Sequence, residues 1–334
     1  MELINDTRFP AQLLILPDRD GHETLVVIWK GSWRVDGGST APLEEPSPIT
    51  QADEYYGKPG ESSLSYESDL ALWKPATDVV LLGHAYAPDG KAKESKVQVR
   101  VGPVAQSAIV SGDRKWKISL GLAHISGPEP FEKIPLVYER SFGGAQPDKD
   151  GQGWLGAEER NPIGAGYVRK QRSSFVDGLA LPNIEAPKKR ISKPGQNATP
   201  VGFGFVGRHW LPRRTHAGTY DAKWQADRLP LLPEDFDERY FNGAPEALQA
   251  IPHLRGGEPV QTSGVHRRGA WSFLLPTARP VIEAHWKGDW LPLESVLDTV
   301  VLEPDADRVS LTHRARFRIH NHLRSLKAVR VKES

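Results

Sequence analysis

Glycine and proline punctuate this chain too often for long helices. The 31 Gly and 28 Pro are 59 of 334 residues, about 18%, where an ordinary chain carries ~12%. A proline removes a backbone donor and a glycine weakens a helix interior, so the expected product is many short elements joined by turns. The excess is densest over 127–260, at Gly127-Pro128, Gly143-Gly144, Asn161-Pro162, Leu181-Pro182-Asn183 and Lys193-Pro194-Gly195. Helical periodicity appears there only at 233–249, where Pro233-Glu234-Asp235 reads as the acidic first turn of a short helix. The polar run 185–200 reads as an exposed, mobile loop.

Strand signals fill both ends. Residues 25–35 (LVVIWKGSWRV) are β-branched and aromatic, and their second half alternates as a half-buried strand does. Runs at 71–74 and 78–82 follow, then 96–101, where Val97, Val99 and Val101 share one face. Turns at 88–90 and 111–113 lead into 96–101 and a strand over 115–120, and 281–286, 299–302 and 308–319 repeat the pattern. The expected fold is mainly β: an antiparallel sandwich-like body with a loop-rich central section and few short helices. Regions 1–126, 127–260 and 261–334 would interlock as one unit. Residues 25–35 also overlay on 309–319, placing Trp29 on His313 and Trp33 on Phe317, which fits duplication and chance equally.

With no cysteine, a disulfide framework, a Cys-based zinc site and a cysteine nucleophile are all excluded. No run approaches ~18 apolar residues, and the start lacks the features of a secretory signal, so a cytoplasmic protein without membrane insertion is expected. A net charge of +1 gives no case for nucleic acid, but its distribution is uneven. Eight acidic residues face one Lys over 36–69, twelve basic face four acidic over 167–228, and eight basic with no acidic lie over 308–332. Such charges either pair within the fold or form a basic surface for an acidic partner.

Catalytic patterns are weak. The carboxylates at Glu234-Asp235 and Asp237-Glu238 suit a helix N-terminus better than a glycosidase cleft. His320-Asn321-His322 lacks the spread of a nuclease motif, and His209 and His216 lack metal-ligand spacing. Gly202-Phe203-Gly204-Phe205-Val206-Gly207 fits GxGxxG but runs into Trp210-Leu211-Pro212, not a helix. No catalytic, cofactor or metal residues are therefore assigned. The ten Trp keep a carbohydrate-binding or carbohydrate-active β-sandwich open, with Trp154, Trp210 and Trp224 as candidate platform residues.

The central segments form an ordered string. It runs Tyr138-Glu139-Arg140-Ser141-Phe142-Gly143-Gly144, Asn161-Pro162-Ile163-Gly164-Ala165-Gly166-Tyr167, Leu181-Pro182-Asn183-Ile184-Glu185, Gly202-Phe203-Gly204 to Trp210, Gly218-Thr219-Tyr220-Asp221 with Trp224 and Arg228, Leu229 to Asp237 with Tyr240-Phe241-Asn242, and Gly256-Gly257-Glu258. This string resembles an uncharacterised-domain family of bacterial type VI secretion clusters, found beside spike and PAAR-type proteins. The resemblance implies a non-enzymatic adaptor or chaperone, whose partners are a secreted effector and a spike or PAAR-type carrier. His313 stands where that family is expected to carry Trp, and Ala165 where a larger residue is expected.

The residues give this resemblance local content. Asn161, Gly164 and Gly166 are turn residues. Tyr138, Arg140, Tyr167, Tyr220, Asp221, Trp224 and Arg228 would tie the loops into one polar–aromatic network or touch the effector, since the same residue types dominate interfaces. Trp210 belongs with them, and Arg213 and Arg214 would form a basic docking pair whose reversal weakens binding without unfolding.

Overall fold

The computed structural model describes residues 1–148, 153–319 and 322–333. Its centre is the strand Glu23–Asp36, buried without a break from Thr24 to Trp33. The expected half-buried alternation fails because both faces of this strand are covered. One face meets the main core, and the other packs Val26 and Ile28 against Ile49 and Leu72.

The two ends of the chain that overlay in sequence are neighbours here. Arg308–Arg318 runs antiparallel to Glu23–Asp36, from Arg34 opposite Arg308 to Thr24 opposite Arg318, with Trp29 opposite His313. Their likeness has a sufficient cause in this shared position, since adjacent central strands need the same apolar and aromatic composition. Ser295–Glu303 adds antiparallel and Thr77–Leu81 adds parallel beyond it. Gln249–Ala250 closes that edge and Ala11–Pro17 the other.

A five-stranded antiparallel sheet joins Ile184–Glu185, Val104–Ser111, Glu94–Val101, Pro259–Ser263 and Trp271–Leu274. Val97, Val99 and Val101 point inward as the alternation predicts, into the same core as Val79, Val301 and Trp29. A third sheet sets Glu2–Asn5 parallel to Leu326–Glu333, followed by Pro280–Trp286 and Asp289–Leu293. The fold is mainly β, with mostly antiparallel sheets and few short helices. Among the described residues, no helix is long and apolar enough to cross a membrane.

Several expectations need correction. Residues 233–249 hold two 3-10 turns, Glu238–Phe241 and Glu246–Leu248, rather than an α-helix, because Gly243 and Pro245 interrupt the run. An α-helix forms instead at Ala222–Asp227, where the Asp221 side chain accepts the Trp224 N–H at 2.8 Å. Residues 71–74 are not a strand; they cross the central sheet as buried coil, and Ala71 gives its carbonyl to Arg314. The 185–200 segment is anchored by buried Glu185, Ile191 and Ala198. Of the His320-Asn321-His322 tripeptide, the first two residues lie outside the described residues.

Candidate functional site

The uneven charge along the sequence becomes pairing in space. Lys30 meets Asp69 at 2.8 Å and Lys74 meets Asp78 at 2.9 Å, both buried. Arg314 donates to Asp298 and to the carbonyls of Ala71 and Asp69. Arg213 donates to Glu67, while Arg208 binds Asp53 at 3.0 Å. Burial opposes the Lys74 charge, but Asp78, Glu67 and Asp298 hold its pKa above the usual lysine value. Five cations thus face five carboxylates, from the local Lys74–Asp78 pair to Arg208 and Asp53, 155 residues apart. On the C-terminal stretch, six of the eight basic residues pair with carboxylates, so of the two readings internal pairing fits this stretch better than a free basic surface.

The docking pair does not survive this geometry. Arg213 is 3% exposed, and its guanidinium also donates to the carbonyls of Tyr240 and Val206 at 2.8 Å. Only Arg214 reaches solvent, beside Glu159 at 3.2 Å. Reversing Arg213 would strand Glu67 rather than test a surface.

The first half of the motif string closes into a compact knot. Buried Asn161 donates its side-chain amide to the carbonyls of Tyr138 and Phe142, at 2.8 and 3.0 Å. Tyr138 meets the Trp210 ring edge-on at 5.2 Å. Gly164 is required because a Cβ would lie 2.4 Å from the Asn161 amide. Gly166 has φ +91°, with Pro182 2.6 Å from where its Cβ would stand. Tyr167 packs on a satellite core of Trp116, Phe142 and Leu181. Arg140 reaches outward from the knot to Asp113 and Asn183, at 3.0 and 3.1 Å.

Outside the knot lies an open cleft of about 630 Å³. Glu139, Arg140, Ala165 and Asn183 form one wall, and Lys115, Lys117 and Ser126 the other. Its second wall is the foot of a hairpin, Trp116–Ser119 with Leu122–Ile125. Ala165, at the position where the resemblance implied a larger side chain, lies in the lining of this cleft.

A family model described as "Uncharacterized protein conserved in bacteria (DUF2169)" matches residues 20–314. The chain belongs to that family. No curated protein and no solved structure matches it. The family match takes in most of the central sheet, the buried ion pairs and the whole motif string, while Glu2–Asn5, the edge strand Ala11–Pro17 and Leu326–Glu333 lie outside it.

The second half of the string is a separate group. Tyr220 stacks edge-on against Trp224 at 4.7 Å, and Trp224 Nε1 donates to the Leu231 carbonyl at 2.9 Å. Arg228 donates to the Arg19 carbonyl at 2.8 Å, tying this unit to the turn before the central strand. The seven expected network residues therefore divide between two places. The second group adjoins a trough of about 1020 Å³, the larger of the two spaces. There Arg19 faces Asp20, Arg239 faces Asp237, Arg316 faces Glu238 and Arg318 faces Asp18. Burial works against the Asp18 charge, yet the His22 and Asp20 amides and Arg318 hold its pKa below the usual value.

Neither space assembles a metal set: among the described residues, no group of three or more His, Cys, Asp or Glu could hold an ion. The GxGxxG run is core, with Phe203 buried and its carbonyl accepting the Leu81 N–H at 2.8 Å. Sequence reading missed Lys30, Asp78, Asp298 and Arg314. For Lys30, Asp78 and Asp298 the signal was a charge inside an otherwise apolar run, which folds only when a partner neutralises it, whereas Arg314 stood in a row with Arg316 and Arg318.

Proposed function

We propose that the chain is a non-catalytic, cytoplasmic adaptor or chaperone of a bacterial type VI secretion cluster, which binds a secreted effector and helps load it onto a spike or PAAR-type carrier. The observation that carries the reading is the motif string itself. Its buried members Asn161 and Tyr138, with half-buried Gly164, hold together the wall of a cleft, and its outer member Arg140 faces that cleft. A cleft that mixes Lys115, Lys117 and Arg140 with Asp113, Glu129, Glu139 and Asn183 is equipped to dock a polar chain. Family membership supports the bacterial setting.

Co-expression with the proteins encoded beside this gene tests the proposal. An effector or carrier should co-purify, and deleting the gene should abolish that effector's export. Export that continues unchanged removes the adaptor role.

The carbohydrate reading now leans on Trp154, 71% exposed, because Trp210 is buried against Tyr138 and Trp224 is held by Leu231. A glycan array with sugar-dependent binding would move the balance toward it.

A further inference from the structure

The hairpin that walls the motif cleft carries a leucine with no role in the fold. Ser119 pairs with Leu122, so the connecting loop is only Leu120-Gly121, with φ +51° and +77°. Two-residue loops with both φ positive select Asn, Asp or Gly at the first place, where a larger side chain crowds its own backbone. Leu120 occupies that place while 100% exposed, and Leu122 beside it is 73% exposed. Neither packing nor turn geometry accounts for a leucine there. A strained and wholly solvated apolar side chain is the pattern of a contact made with another molecule.

The hairpin's two faces are unlike. Trp116, Ile118 and Ile125 turn inward onto the satellite core. Lys117 and His124, paired across the hairpin, are exposed on the other face, which Lys115 continues toward the cleft. Among the described residues, no carboxylate lies at ion-pair distance from Lys115 or Lys117. Below them, buried Arg114 binds Glu185 with one nitrogen but leaves its Nε without a partner, and it lines the same cleft.

We propose that this hairpin and the cleft at its foot are the docking surface for an acidic segment of a partner protein. An apolar side chain of that segment covers Leu120 and Leu122, and its carboxylates lie over Lys115 and Lys117. A bilayer is flat and would leave the cleft floor untouched. A nucleic acid carries a charge at every step and would set phosphates against Asp113, Glu129 and Glu139 in the lining, whereas a protein segment can place its carboxylates at Lys115 and Lys117 and neutral residues beside those acids. This surface deepens the adaptor reading and rests on it.

A photoreactive phenylalanine analogue placed at position 120 of the full chain, in the producing bacterium, tests the surface. The same analogue at exposed Leu274, on another sheet, is the control. One dominant adduct is expected at 120 and absent at 274, and its purified protein should bind the chain directly. Leu120→Asn should weaken that binding about 30-fold, while Tm stays equal or rises about 2 °C. Lys115→Glu with Lys117→Glu should weaken it further and flatten its salt dependence. Equal adducts at 120 and 274, or unchanged affinity in Leu120→Asn, overturn the proposal. Co-sedimentation of wild type, but not Leu120→Asn, with phosphatidylserine vesicles overturns it in favour of a membrane. An adduct that is an acidic protein but neither effector nor carrier upholds the surface and removes the adaptor role.

Discussion

The trough beside the Ala222–Asp227 helix and the cleft beneath the Trp116–Ile125 hairpin differ in one decisive respect. The trough is larger and richer in charge, yet its four arginines each face a carboxylate of the same chain. The cleft is smaller, and two of its lysines face none among the described residues. A side chain already paired has little electrostatic free energy left for a partner, and displacing its internal mate costs about what the new pair returns. On the proposed reading, unmet pairing rather than size marks the docking surface.

The same logic orders the expected effects. The largest belongs to the pairs that continue the trough's arginine row into the core. Arg314→Met leaves Asp298 buried without its guanidinium, keeping the Thr299 hydroxyl at 2.8 Å and the more distant Lys74 charge, and urea unfolding should show a loss of about 3 kcal/mol. Adding Asp298→Leu should recover much of it. A loss below about 1 kcal/mol in the single variant would show that these pairs are not fold glue. Asn161→Ala removes two buried hydrogen bonds from the motif knot and should lower stability by about 2–3 kcal/mol. Partner affinity should fall with it, because the cleft wall rests on that knot.

A pH titration separates the core from both surfaces. Burial beside Trp29, with Arg279 adding repulsion, pushes the His313 pKa down to about 3. The unfolded chain, at the ordinary value near 6.5, then binds more protons between those limits, so stability is full above pH 6.5 and falls as pH drops. About 2 kcal/mol should be gone by pH 5, and His313→Phe should remove that part of the slope. The smallest effect is expected in the open trough, where Arg318→Gln should change stability by less than about 1 kcal/mol.

Strand positions were legible because alternation at 96–101 and β-branched runs at 25–35 and 308–319 follow directly from sheet geometry. Partnership was not. Arg314 and the Asp69 carbonyl it holds are 245 residues apart, and only the folded topology brings them together. The helix was misplaced because 233–249 had the acidic start of a helix, whereas Ala222–Asp227 is a single capped stretch too short for periodicity to reveal. The buried motif residues Tyr138 and Asn161 were found through turn chemistry and resemblance, while Arg213 was read as exposed because a paired basic dipeptide usually is. The exposed hairpin tip was hidden inside the expected strand over 115–120, which ends at Ser119: a leucine suits a strand, and only Gly121 marked the turn.

The most direct measurement compares two double variants for affinity toward the neighbour-encoded protein that co-purifies with wild type. Lys115→Glu with Lys117→Glu alters the cleft, and Arg316→Gln with Arg318→Gln alters the trough. The account predicts a loss of at least about tenfold in the first and less than about twofold in the second. The reverse order, with the trough variant losing affinity and the cleft variant keeping it, would contradict it.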